Sequence, residues 1–450
     1  MVVKFPALNR HAIIRHLREN RSRRIVLTVG VGWGGRAVSA LAQFVAVRVL
    51  TTMLGVDGFG AWAVITGLLA WFMLADFGLG AALQNYISAS KMRDESPLAA
   101  IRGTVSFLWR SLSLLILLLA LIASWIGPFL LEGFTTINRM DAILGFFIFG
   151  AVATAIGSSS VILKILFAEH RGYVAHLITA IGALLGLAGL VIVGQTTTAH
   201  RFAWALIANY LPLCLISWVF LWRRLRHGPL KDLWHWSDAV QPLRGQAGHF
   251  LLFAVLSAMV LNIDYIILAR TVSPADVATY AVMAKLYGLV FFVFSSVLQA
   301  YWPLSAEAFQ RGDVDGLHRL AIRCIGLGML TVIGASLGLF VLHDHIATLL
   351  SPHQPLILPK FLIPFFAGYW LLRVWSDTFS MLVLSAGRAM FLCMVVPVQA
   401  TISLGLGIWG ASAQGLPGFM LGLSASFLLT VVWGLPFYVH HLTRNRIQEG

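Results

Sequence analysis

Six charged side chains lie inside apolar runs long enough to cross a bilayer. Arg36, Asp76, Asp264 and Lys285 stand singly, and Arg373 and Asp377 lie one helical turn apart. Charge in hydrocarbon is costly on any scale, so such residues face a protein-lined cavity or one another and mark a path for charged solutes. Three kinds of chemistry are open to them. An arginine stays protonated and offers paired N–H donors that match phosphate oxygens. A lysine is a point cation that desolvation can neutralise. A lone carboxylate in an apolar setting can carry a proton, bind Na+ or neutralise a neighbouring cation.

Composition defines the elements that must position these groups. Of the 450 residues, 59% are hydrophobic and 11% charged, and the mean hydropathy is +0.84. Soluble domains carry about 25% charged residues. The apolar runs are continuous and about 20 residues long, the length of a membrane-spanning helix; a transmembrane barrel would show alternating segments of about ten residues. The fold class is therefore an all-α polytopic membrane protein. Twelve helices are predicted near residues 25–50, 59–89, 104–127, 141–167, 173–194, 201–222, 247–270, 277–303, 322–342, 361–385, 389–410 and 416–439.

The net charge of +14 is concentrated in alternate loops. Lys91, Arg93 and Arg102 lie in one, and Arg223, Arg224, Arg226, Lys231 and Arg244 in another; the opposite loops hold Arg139, Arg201, Arg270 and Lys360. The positive-inside rule then places both termini in the cytoplasm. It also explains the basic balance without a nucleic-acid partner. Residues 1–24 carry seven Lys/Arg and read as a basic amphipathic helix on the cytoplasmic lipid surface, not as a cleavable signal.

Two halves are visible. Residues 25–222 and 247–440 each hold six predicted helices, residues 223–246 form a cytoplasmic linker carrying Trp234-His235-Trp236, and residues 441–450 form a tail. LTTMLGVDGFGAWAVITG (50–67) and LARTVSPADVATYAVMAK (268–285) both place a polar turn with an Asp between two helices, followed by an aromatic residue and Ala-Val. Paired bundles with a site between them are a recurrent transporter plan.

TTMLGVDGFGAWAVITGLLAWFMLADFGLGAALQNYIS resembles the helix 1–2 region of polysaccharide and O-antigen flippases, in the multidrug/oligosaccharidyl-lipid/polysaccharide exporter superfamily. VSPADVATYAVMAKLYG resembles the matching region of their second half, and ILKILFAEHRGYVAH their helix 4–5 connection. The resemblance covers the chain in topology. It implies two pseudo-symmetric six-helix bundles in the bacterial inner membrane. The implied substrate is a glycan on undecaprenyl diphosphate, moved by alternating access with H+ or Na+ as the coupling ion. Polysaccharide polymerase or assembly proteins are the implied further partners.

Site residues follow from depth and helical face. Arg36 lies roughly 16 Å into helix 1, near the midplane. Gln43 shares its face, whereas Arg48 is near the outer end, where it can snorkel. Lys285 lies roughly 12 Å from the outer end of helix 8, with Ser296 and Gln299 near its face. A cavity lined by Arg36 and Lys285 would replace the hydration of a diphosphate, whose transfer through bare hydrocarbon is prohibitive. Arg48, Arg270 and Arg373 complete the candidate cations. Asp76, beside Phe77-Gly78-Leu79-Gly80, and Asp264, with Ser257 on its face, are coupling or counter-ion candidates. Arg373 and Asp377, flanked by Tyr369 and Ser380, form either a self-neutralising pair or a gate pair.

Other signals are weaker. Gly182 and Gly186 read as close-packing positions. Cys214, Cys324 and Cys393 suggest neither a disulfide framework nor a metal site. His343, His345 and His353, and Asp313-Val-Asp315, read as solvated loops. No ATPase-type phosphate loop or nucleophile elbow is present, so the chain is not read as an enzyme and no cofactor is expected. A multidrug cation antiporter of the same superfamily is disfavoured by Arg36 and Lys285. A membrane polymerase or ligase would need a sizeable outer loop that the sequence lacks.

Overall fold

The computed structural model describes residues 10–449 except 93–95, 170, 197–198, 226–239, 352–357 and 387. The side chains of residues 10–30, 33, 88–89, 91–92, 253, 257, 259–262, 296, 299–300, 303, 306–307, 310, 389 and 445–449 also lie outside the described set. Trp234, His235, Trp236 and His353 therefore fall outside it, as do the side chains of Ser257, Ser296 and Gln299.

All regular structure among the described residues is helical. The helical run Arg10–Gly67 is divided at Gly55, whose φ of 74° lies in the left-handed region that glycine enters without strain. Helix α1 (10–54) and helix α2, starting at residue 56, meet there. The helix runs unbroken from Arg10 into the first span, with no separation at residue 24. The remaining spans are α3 (Leu98–Leu131), α4 (139–168), α5 (Gly172–Gly194), α6 (Arg201–Leu225), α7 (244–271), α8 (Pro274–Arg311), α9 (Val314–Leu350) and α10 (Leu362–Ser385). A final run is divided at Gln414 and Gly415 into α11 (389–413) and α12 (416–449). These are the twelve spans expected from hydropathy.

Four spans are interrupted where hydropathy predicts continuity; one is α12, which breaks at Thr430 between Leu429 and Val431. In α2, a short piece Leu69–Met73 leads into a 3-10 turn Leu74–Asp76, left-handed Phe77 and Gly78, and a new helix Leu79–Met92. Helix α4 loosens at Ser160, between Arg139–Ser159 and Val161–Ala168. Helix α7 breaks at Ile263, between Arg244–Asn262 and Asp264–Thr271. Irregular backbone at membrane depth is tolerated where protein or a cavity surrounds it.

The buried side chains form three cores. One is shared: Leu50, Phe59 and Leu131 of the first half pack with Leu268, Val277 and Leu350 of the second. The other two lie toward the opposite end. One is built on α2, α3 and α4 around Leu83, Ile101 and Ile165, with the start of α7 added through Leu243 and Ala247. The other joins α8, α9, α10 and α12 around Phe309, Leu382 and Leu435. The halves thus share one core at the end carrying the Gly55 turn, the fused end; at the other end each has a core of its own, and only the start of α7 joins that of the first half. Large apolar side chains such as Trp125, Trp433 and Phe437 remain exposed on the outside, as a lipid-facing surface requires.

Gly78 shows how closely α2 meets α7. Its φ is +72°, and a Cβ there would lie 2.3 Å from the Ala247 carbonyl oxygen and 2.7 Å from the Leu251 nitrogen. Gly78→Ala is expected to destabilise the fold by at least about 2 kcal/mol through strain and overpacking. The check is the thermal midpoint in detergent. An unchanged midpoint would contradict this close approach.

Candidate functional site

The separated cores leave a cavity of about 990 Å³ between the halves. That is at the upper end of ordinary ligand pockets. Its wall comes from α1, α2, α4, α5 and α6 of the first half and from α7 and α8 of the second. Most of the wall is apolar. The polar groups are sparse and include Gln43, Asp76, Lys164, Asn209, Tyr210 and Lys285.

Asp76 is positioned by the interruption of α2. The helix beginning at Leu79 presents N–H groups with no partner inside the helix. Asp76 Oδ1 accepts one of the neighbouring backbone bonds, from the Gly78 N–H at 2.8 Å. The carboxylate therefore serves as a local cap as well as a cavity charge. Lys164 reaches the same region from the short second piece of α4. A Cβ on Gly80 would lie 2.8 Å from Asp76 Oδ2 and 3.3 Å from Lys164 Cγ, so the glycine lets both side chains share the space.

Lys285 enters the cavity from α8. Its Nζ lies 4.9 Å from the Trp62 ring centroid and 5.7 Å from that of Phe59, both on α2. The two lysines sit at different depths. Lys285 is about 16 Å along α8 from its start near the fused end, and Lys164 about 37 Å along α4 from the same end. Lys164 thus lies toward the open mouth and Lys285 toward the closed floor. Sequence reading missed Lys164, which stands close to a predicted helix end. The available signal was the Ser158-Ser159-Ser160 run just before it, which marks a weak point in the helix.

The predicted residues separate. Gln43 lines the cavity. Arg36 does not belong to its wall: it is exposed, about 28 Å along α1 from the Gly55 turn, with its guanidinium 5.5 Å from the Phe292 ring centroid on α8. Its place is therefore nearer the mouth than the midplane, because α1 continues well beyond the predicted start at residue 25. Arg48 is exposed and outside the cavity wall. Arg270 is not a cavity cation. It donates to Glu132 Oε2 at 2.6 Å and to the Phe129 carbonyl at 2.8 Å, and covers the Phe129 ring. It therefore ties α7 to the end of α3 across the two halves.

Arg373 and Asp377 pair with each other at 3.4 Å, and Arg373 also reaches the Tyr369 hydroxyl at 3.4 Å. The guanidinium lies 5.5–5.9 Å from the ring centroids of Phe291, Trp370 and Phe427, inside the second half. The pair does not line the cavity. Asp264 follows the break in α7 and accepts hydrogen bonds from the Tyr280 hydroxyl and, at 3.0 Å, from the Tyr265 N–H. These hydrogen-bond partners are neutral, whereas Asp377 has an arginine.

One loop reading is corrected, that of the histidines, while Asp313 and Asp315 are exposed as expected, at and just after the α8–α9 connection. His343 and His345 belong to the last turns of α9, which runs to Leu350; His343 is buried, with Nε2 2.9 Å from Asp344 Oδ1. Asp313 caps the start of α9, accepting from the Gly316 N–H at 2.7 Å. Among the described residues no group of three or more His, Cys, Asp or Glu side chains is arranged to hold a metal.

The fused end is fastened by further contacts. Thr51 Oγ1 donates to the Leu350 carbonyl at 2.5 Å, joining α1 to α9. A Cβ on Gly60 would lie 2.7 Å from the Pro274 carbonyl oxygen. With Arg270 and Glu132, these contacts close the cavity at that end while the other end remains open.

No family model matches the chain. A protein of Yersinia pseudotuberculosis named for O-antigen export is 34% identical over 419 residues, covering 92% of this chain and 95% of that protein. A protein of Salmonella typhi named as an O-antigen transporter is 34% identical over 433 residues, covering 96% of this chain and 100% of that protein. Among solved structures, an inward-facing multidrug resistance MATE family transporter of the MOP superfamily superposes with a TM-score of 0.68 at 14% identity, covering 90% of this chain and 96% of the other. The lipid II flippase MurJ in an inward closed conformation gives 0.67 at 14% identity, covering 92% and 87%. At that identity the structural likeness concerns the fold.

Proposed function

The chain belongs to the O-antigen transporter family of the MOP superfamily, and we propose that it moves a glycan linked to undecaprenyl diphosphate across the bacterial inner membrane. The observation that carries this reading is the cavity, in which Lys164 of the first half, beside Asp76, and Lys285 of the second stand in a mostly apolar wall. The diphosphate is the part of such a lipid that hydrocarbon rejects most strongly. Two ammonium groups at different depths supply successive stations for it, with Arg36 near the mouth. Hydroxyls and amides such as Gln43 and Asn209 are suited to sugar hydroxyls. The prenyl tail never has to leave the bilayer.

Loop charge supports an orientation. Arg171, Arg223, Arg224, Arg244, Arg311 and Arg388 lie at the open end, and the positive-inside rule assigns that end to the cytoplasm. The fused end is then the outer gate, and the glycan enters from the cytoplasmic leaflet. Transport proceeds when the fused end parts and the two inner cores meet.

Asp264 is the stronger coupling candidate, because a carboxylate with neutral partners can exchange a proton or Na+ without breaking an ion pair. Asp377 acts as the counter-ion of Arg373. Asp264→Asn keeps an acceptor for Tyr280 but removes the charge. It is expected to make transport in proteoliposomes insensitive to an imposed proton or sodium gradient while leaving substrate binding intact. Retained gradient dependence would remove Asp264 from the coupling role.

The functional reading is tested by native mass spectrometry of the purified protein with undecaprenyl diphosphate and undecaprenyl monophosphate. The diphosphate is expected to bind about tenfold more tightly, reflecting one further charge-assisted contact. Equal binding of the two lipids would contradict it.

A further inference from the structure

Among the described residues the contacts of the Lys285 ammonium are the rings of Trp62 and Phe59. An ammonium on a mostly apolar cavity wall is only partly hydrated, and an aromatic face makes up for lost water through its quadrupole. The two rings are themselves rigidly held. Trp62 stacks with Phe59 at 6.1 Å on one side and with Tyr210 at 6.3 Å on the other, and only 4% of its surface is exposed. Phe59 is fully buried in the core shared by the two halves.

The contact joins opposite halves, since the rings belong to α2 and the lysine to α8. It lies between the cavity and the fused end. Parting that end requires α2 to separate from α8 at the Gly60–Pro274 approach, and hence requires the ammonium to leave the rings. A diphosphate oxygen is a better partner for an ammonium than a neutral ring. Substrate at the cavity floor and the aromatic pair therefore compete for one Nζ.

We propose that Trp62 and Phe59 form a resting seat for Lys285 that holds the outer end shut, and that the substrate diphosphate opens the gate by drawing the ammonium off the rings. This rests on the diphosphate-lipid reading above. Trp62 is thus a positioning residue. The seat explains how an empty cavity stays closed on the outer side, and why occupancy by an anion, rather than a neutral solute, triggers the transition.

The test uses spin labels at Gly133→Cys and Ala275→Cys, at the fused ends of the two halves, in a cysteine-free background in nanodiscs. Both positions are exposed. Without substrate, Trp62→Leu is expected to raise the separated population roughly tenfold, and Trp62→Phe, which keeps an aromatic face, to restore most of the closed state. Lys285→Met leaves both rings in place and is expected to shift the population by a similar factor. The double variant should add little, because both changes remove one contact. Undecaprenyl diphosphate without a glycan should separate the labels in the unsubstituted chain but not further in Lys285→Met. No shift in either Trp62→Leu or Lys285→Met would overturn the seat. Equal shifts in Trp62→Leu and Trp62→Phe would overturn its aromatic basis. Shifts in both variants with no response to undecaprenyl diphosphate would overturn the diphosphate reading and leave the seat standing.

Discussion

Replacing Lys285 with methionine is expected to reduce glycan export about 100-fold without unfolding the protein. The size follows from the loss of roughly two charge-assisted hydrogen bonds to a diphosphate, at about 1.5 kcal/mol each. Stability should be spared because methionine has a similar length and fills the space with an apolar stem. It also removes a cation whose contacts among the described residues are aromatic rings, so no carboxylate among them is stranded. The expected result is therefore a folded, membrane-inserted protein with an unchanged thermal midpoint and little surface glycan. A lower midpoint matching the loss of export would assign Lys285 to the scaffold instead. Lys285→Arg keeps a charge that can meet phosphate and an aromatic face, so it should retain more activity than Lys285→Met.

Lys164→Met is the second large effect, and its sign can be checked through Asp76. The two side chains flank Gly80, so removing the cation leaves an aspartate as the dominant charge at that part of the cavity. A dianionic headgroup is then repelled as well as deprived of a contact. Export is expected to fall about 30-fold, a loss of roughly 2 kcal/mol. Adding Asp76→Asn should recover part of that loss. The asparagine retains an oxygen for the Gly78 N–H, so the turn at the start of Leu79–Met92 survives. A double variant as inactive as Lys164→Met alone would show that repulsion by Asp76 is not the cause.

The spans were legible in the sequence because hydrophobic length is a one-dimensional property. Alternate-loop charge was equally plain. The interruptions were not: α2 remains apolar through Leu69–Met73, and nothing in its periodicity announces the turn at Leu74–Asp76. Yet two of the flagged carboxylates lie at such breaks, Asp76 at the end of one and Asp264 just after another. A lone acid in a membrane run marked irregular backbone there, since its oxygens accept freed or exposed N–H groups.

Which charge faces the cavity was much less legible, because that depends on how helices rotate against one another. Arg373 sits at a depth that sequence alone cannot distinguish from a cavity position, and tertiary packing turns it into an aromatic cage within its own half. Arg270 read as a possible substrate contact becomes a strap once Glu132, far away in sequence, is brought beside it. Lys164 was overlooked for the opposite reason: it stands near a predicted helix end, and only the approach of α2 to α4 puts it on the cavity wall.

The most direct test of the central claim is translocation in proteoliposomes. An undecaprenyl-diphosphate-linked glycan is supplied on the leaflet facing the open end, and its arrival on the other side is scored with an impermeant lectin. The unsubstituted chain should move it, Lys164→Met/Lys285→Met should be reduced to the rate of protein-free vesicles, and the same glycan on undecaprenyl monophosphate should cross far more slowly. Translocation by the double variant at the unsubstituted rate would contradict the claim that this cavity is built to carry a diphosphate.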